Sequence, residues 1–179
     1  KACRLCWLVG LFAVFAVFAS PGLAWTQRGS DIAGEAVDDY SGYSVSLNSD
    51  GTVVAIGAQY NDDGDDDGGS NSGHVRVYAW SGSAWTQRGS DIAGEDVNDR
   101  SGWSVSLNSD GTVVAIGARN NDDGGSNSGQ VRVYAWSGSA WTQRGSDIAG
   151  EAVDDLSGYS VSLNSDGTVV AIGAPYNND

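Results

Sequence analysis

The chain has little of what most enzyme chemistry uses. It contains no Met, one His, two Cys and two Pro, and its only Lys is Lys1. Cys3, Cys6 and all three Phe (Phe12, Phe15 and Phe18) precede Ala19. Beyond Ala24 there is no thiol, so disulfides, Cys–His nucleophiles and thiolate metal sites are excluded there. The single His74 excludes a His-rich zinc site, and the absence of Lys excludes amine chemistry. Stability must come from packing rather than bridges. Positive charge is also scarce: from Trp25 onward seven Arg face twenty-three Asp and Glu, which excludes nucleic acid as a partner. So much acid keeps a glycine-rich chain soluble, and it also suits cations or a basic partner.

The first residues differ from the rest. Lys1 and Arg4 precede the apolar run Trp7–Ala19, and small residues follow at Gly22 and Ala24. That run is shorter than the roughly 20 residues that cross a bilayer. Residues 1–24 are therefore expected to be a secretory signal peptide, cut after Ala19 or Ala24. A secreted or cell-surface protein with no membrane span in its mature chain follows.

What is abundant is repetition. "SVSLNSDGTVVAIGA" begins at Ser44, Ser104 and Ser160 without a change, and "AWTQRGSDIAGE" begins at Ala24, Ala84 and Ala140. The units run 24–83, 84–139 and 140–179, the third being truncated. Four strands are expected per unit. Tyr43–Asn48 alternates, with Val45 and Leu47 on one face and Ser44 and Ser46 on the other. Thr52–Ala58 is apolar on both faces, as a sandwiched strand is. His74–Trp80 alternates again, and the polar "AWTQRG" suits an outer edge. "NSDG" supplies the positive φ of a tight hairpin, and "SGS" makes the next short turn. No stretch beyond Ala24 has helical periodicity. Short antiparallel strands in units of this length predict an all-β fold of β-propeller-type four-stranded blades, about two and a half of them. A propeller closes with 4 to 8 blades, so self-association or further blades beyond this chain are expected.

"SGYSVSLNSDGTVVAIGA" at Ser41 and Ser157, "SGWSVSLNSDGTVVAIGA" at Ser101, and the Ala174-Pro175 ending resemble the FG-GAP repeats of integrin-α-like propellers. The resemblance covers the chain after the leader. It implies an extracellular binding or adhesion propeller, with calcium often held in the first hairpin by a D-x-N-x-D-G-x-x-D pattern. Here "LNSDGTVVA" keeps only Asp50-Gly51 of that pattern, and Asp50, Asp110 and Asp166 read as turn residues.

Up-and-down strands put "NSDG" and "SGS" at one end of a blade and the long loops at the other. The long loops carry most of the acid and nearly all the differences between copies: Tyr40, Arg100 and Leu156 at one position, Gln59 and Arg119 at a second, Tyr60, Asn120 and Tyr176 at a third. Constant scaffold at one end and variation at the other is how binding proteins divide labour. These eight residues are the expected ligand contacts, with a protein or glycan as partner.

"DGDDDG" places Asp63, Asp65 and Asp67 in the D-x-D-x-D-G order of a calcium loop, although its twelfth position is His74 rather than Glu. Glu35-Asp38-Asp39 and Glu151-Asp154-Asp155 would extend such a site. Trp80, Trp85, Trp136 and Trp141 offer faces either for blade packing or for sugars, so a calcium-dependent lectin is the second reading. Paired carboxylates leave a propeller glycosidase as a third. No pair is marked out from the others, so a non-enzyme is expected, with His74 as a polar residue at a strand edge.

Overall fold

The computed structural model describes residues 17–18, 25–62 and 70–178. The leader, apart from Val17–Phe18, and the proposed calcium ligands Asp63, Asp65 and Asp67 lie outside the described residues. The described secondary structure is entirely β. A first pair joins β1 (Val17–Phe18) to β2 (Thr26–Gln27). The first blade contains β3 (Ser44–Leu47), β4 (Val53–Ala58), β5 (His74–Trp80), β6 (Trp85–Gln87) and β7 (Ile92–Ala93). The second contains β8 (Ser101–Leu107), β9 (Val113–Ala118), β10 (Gln130–Trp136), β11 (Trp141–Gln143) and β12 (Ile148–Ala149). The hairpin of β13 (Ser160–Leu163) and β14 (Val170–Gly173) begins a third.

Each full sheet is antiparallel and follows chain order, β3-β4-β5-β6 and β8-β9-β10-β11. These are the four-stranded units of a partial propeller. The outer strand is longer than "AWTQRG" alone indicates: after a break at Arg88–Asp91 it rejoins the first blade as β7, where Val75 faces Ile92 and His74 faces Ala93. β12 does the same to β10 in the second. The apolar strands β4 and β9 are buried throughout, as strands covered on both faces must be.

The "NSDG" turn is closed by its own side chains. Asn48 Oδ1 accepts from the amides of Thr52 and Val53, while Asp50 Oδ1 accepts from Thr52 N and Thr52 Oγ1. Those bonds to Thr52 hold the Asp50 carboxyl below the usual carboxylate range, and Asp110 and Asp166 are lowered in the same way by Thr112 and Thr168. The three residues are turn locks.

The invariant letters are explained by what joins one blade to the next. Ser44 Oγ donates to Gly102 O, and Ser104 Oγ to Gly158 O, both at 2.7 Å. Ser46 and Ser106 hydroxyls accept from Leu107 N and Leu163 N. The conserved Gly of "AIGA" lies at this seam: a Cβ on Gly117 would overlap the carbonyl oxygen of Gly158. At the turn end, Arg88 Nη1 donates to Gly111 O in the next blade, while its guanidinium lies 4.8 Å from the Trp136 ring and its carbonyl accepts from Trp141 Nε1. Arg28 repeats this with Gly51, Trp80 and Trp85. The four tryptophans flanking "SGS" are thus used to staple units together.

Apolar residues from both full blades meet between them. Val53, Ala55, Val75, Val77 and Ile92 of the first pack on Val105, Leu107, Val114 and Ile116 of the second.

Candidate functional site

Strand register places the long loops together. Ala58 faces His74 and Ser44 faces Gly57 at one end, while Val53 faces Ala79 and Trp80 faces Trp85 at the other. Residues 59–62, 70–73 and 94–100 therefore lie at the same end of the first blade. They are laced by backbone bonds from Gly94 N to Gly73 O, Asn98 N to Ser70 O, Arg100 N to Asn71 O and Ser101 N to Ser72 O. The second blade repeats each of these, at Gly150, Asp154, Leu156 and Ser157. Buried Asp39, Asp99 and Asp155 brace the same loops. Asp99 Oδ2 accepts from Asp96 N and from Asn121 Nδ2, and burial pushes its carboxyl upward. Asp39 and Asp155 make the equivalent bonds to Ala36 and Asn61 and to Ala152 and Asn177.

On this frame the variable position Tyr40, Arg100, Leu156 has φ of 57°, 59° and 56° in the three copies. Left-handed backbone is costly for bulky side chains and cheap for Gly or Asn. A large residue stands there three times, so its side chain is being displayed at a conformational cost, as happens at functional sites.

Four of the eight expected contacts converge. Tyr40 and Tyr60 rings lie 5.0 Å apart, and the Arg100 guanidinium stands 5.0 Å from the Tyr60 ring. Arg119 lies over Trp103 at 3.4 Å and near Tyr159 at 5.7 Å. Burial first, and then repulsion from Arg100, lowers the Arg119 pKa. The two cations are thus close enough to feel each other, and neither has a carboxylate partner among the described residues. Of the other four, Gln59 is buried, with Oε1 lacking a hydrogen-bond partner, and Asn120 ties its loop down through Asn127. Leu156 and Tyr176 line a separate cavity of about 370 Å³ with Val153, Asp154 and Asn178.

The structure adds three residues that sequence reasoning missed. Tyr43, Trp103 and Tyr159 open the inner hairpin of successive units and form a stripe, with centroids 4.7 Å and 5.6 Å apart. Arg119 sits on this stripe. A signal for it existed: within "SG-SVSL" this is the one position that changes, and it changes only among aromatics.

Residues 89–134 match the family model of the FG-GAP repeat, a span that holds β7 to β9 and most of β10. The chain carries an FG-GAP repeat. The match falls on the second copy, and the letters shared with the other copies extend the FG-GAP pattern on either side. None of the curated proteins matches the chain. Among the described residues, no helix is long and apolar enough to cross a membrane.

Proposed function

We propose that this FG-GAP chain is a non-catalytic binding or adhesion module, secreted or displayed at a cell surface, which recognises a protein or glycan partner through its long-loop end. The observation that carries this reading is the Tyr43–Trp103–Tyr159 stripe with Arg100 and Arg119 beside it. Tyr43 and Tyr159 are exposed on either side of a half-buried Trp103 that Arg119 covers on one face, and such rings suit the flat faces of sugars. Two guanidiniums without carboxylate partners among the described residues supply the planar donors that bind a carboxylate in pairs. A carboxylated glycan fits both features together, and the left-handed backbone that displays Arg100 supports a binding role for it.

An array of neutral and carboxylated oligosaccharides tests this. Retention of carboxylated members alone is expected, with at least tenfold weaker binding for Trp103→Ala and for Arg119→Ala, or about 1.4 kcal/mol each. Failure to retain any carboxylated glycan, or retention unchanged in both variants, overturns the reading.

A further inference from the structure

The single histidine is not an edge residue. His74 opens β5, is 3% exposed, and faces two carboxylates delivered by distant segments. Its Nδ1 lies 3.6 Å from Glu35 Oε2 and 3.9 Å from Asp91 Oδ2. The three ligand atoms all lie within 4.8 Å of one another. Glu35 arrives from the loop after β2, and Asp91 is set in place by the pairing of β7 with β5.

Each carboxylate is oriented by a neighbour that leaves one oxygen turned to the imidazole. Arg76 Nη1 lies 3.4 Å from Glu35 Oε1, and Gln87 Nε2 donates to Asp91 Oδ1. Outer partners that fix ligands in this way are characteristic of metal centres. Bonds of about 2.0–2.2 Å to nitrogen and oxygen place tetrahedral ligand atoms about 3.4 Å apart, so forming the site requires the two histidine–carboxylate separations, and that between the carboxylates, to close to that value.

The second blade holds the same positions with one change. Gln130 replaces His74 and donates through Nε2 to Glu95 Oε2 at 2.6 Å, while Arg132 Nη1 lies 3.3 Å from Glu95 Oε1. Asp147 stands where Asp91 does, within 4.8 Å of Glu95 and Asp123. The carboxylate frame therefore recurs, and only the first blade offers it an imidazole.

We infer that Glu35, His74 and Asp91 form a zinc-type site for a borderline divalent cation, whose fourth ligand would be water or a further protein atom. None of its three ligands belongs to the aromatic stripe, and nitrogen ligation favours zinc-like ions over calcium.

Cobalt(II), a spectroscopic stand-in for zinc, tests this on the full chain. One equivalent is expected to bind and to give the intense visible absorption of a tetrahedral ion, which zinc then displaces. His74→Gln installs the residue that the second blade already carries, so it preserves the fold, checked by melting temperature. It should abolish the band and weaken binding at least a hundredfold. Gln130→His should add a second equivalent. Absence of a tetrahedral band in the unaltered chain, or its survival in His74→Gln, overturns the inference: the first outcome would leave His74 a structural partner of the two carboxylates, and the second would place the metal elsewhere.

Discussion

Residues 44–47 and 104–107 are the same four letters, Ser-Val-Ser-Leu, in two different surroundings. Val45 and Leu47 are 53% and 52% exposed, whereas Val105 and Leu107 are 9% and 7% exposed. Nothing local separates them: both segments pair antiparallel with an identical partner strand, in the same register. The difference is the neighbour. Val105 and Leu107 rest on the first blade, while the outward side of Val45 and Leu47 carries no sheet among the described residues. The serines show the converse, since Ser44 and Ser104 each bond the following blade and Ser160 is exposed. The repeated string thus encodes two contacts, an apolar one toward the blade before and a hydroxyl one toward the blade after. Stability in such an array is a sum over neighbours.

The comparison breaks most easily at leucine. Leu107→Ala deletes a buried side chain and should cost about 3 kcal/mol, within the range for core leucines. Leu47→Ala, identical on paper, should cost about 0.5 kcal/mol or less. Urea unfolding of the two variants measures this directly. Equal losses would mean that the blade seam does not set the energetics.

Glycine gives the next largest contrast. A methyl at Gly117 meets the backbone of Gly158 in the next blade, whereas at Gly173 it meets only the Ser160 side chain of its own hairpin. Gly117→Ala should cost about 2 kcal/mol by overpacking a seam that backbone cannot vacate. Gly173→Ala should cost clearly less, because a serine rotamer can give way. Thermal melting of the pair would show the gap, and its absence would remove close approach as the reason for the invariant glycine.

A buried bond in the long-loop end follows in size. Asp99→Ala strands the Asn121 side-chain amide, itself buried, and should cost about 1–3 kcal/mol. Asp99→Asn keeps an acceptor there and should recover most of that. If the two variants were equally damaged, the bond from Asn121 would not be what braces the loop.

Much of this was legible in the letters. Strand order, the "NSDG" hairpin and the grouping of long loops at one end follow from period-two alternation and turn chemistry, and the FG-GAP resemblance follows from the "SG-SVSL" and "AIGA" strings. The partner of each face was not legible. Alternation states that Val45 and Ser44 point opposite ways, and polar faces are ordinarily read as solvated. Here the polar face is the blade seam, because a hydroxyl can bond a neighbouring carbonyl while still allowing close approach. The site was half legible for a related reason. Variation between copies marked Tyr40, Tyr60, Arg100 and Arg119, but Gln59 varies and is buried. The stripe of Tyr43, Trp103 and Tyr159 is conservative in type, so a search for difference passed over it. His74 could not be read as a meeting point, since Glu35 reaches it from the distant loop after β2 and Asp91 only through the return of the outer strand as β7.

The smallest effect expected lies in the acid limb of stability, where the two ends of the blade oppose each other. The lowered carboxyl of Asp110 stabilises the fold above its unfolded pKa, and that contribution is lost as pH falls through its depressed folded value. Asp99 is raised by burial, so the folded chain binds its proton more readily than the unfolded chain does. That site favours folding below its ordinary range and works against it as pH rises through the shifted value. Melting temperature followed from pH 5 down to pH 3 should therefore fall less steeply in Asp110→Asn than in the unaltered chain, and more steeply in Asp99→Asn. Slopes that shift in the same direction in both variants would mean that turn and loop carboxylates are not oppositely poised.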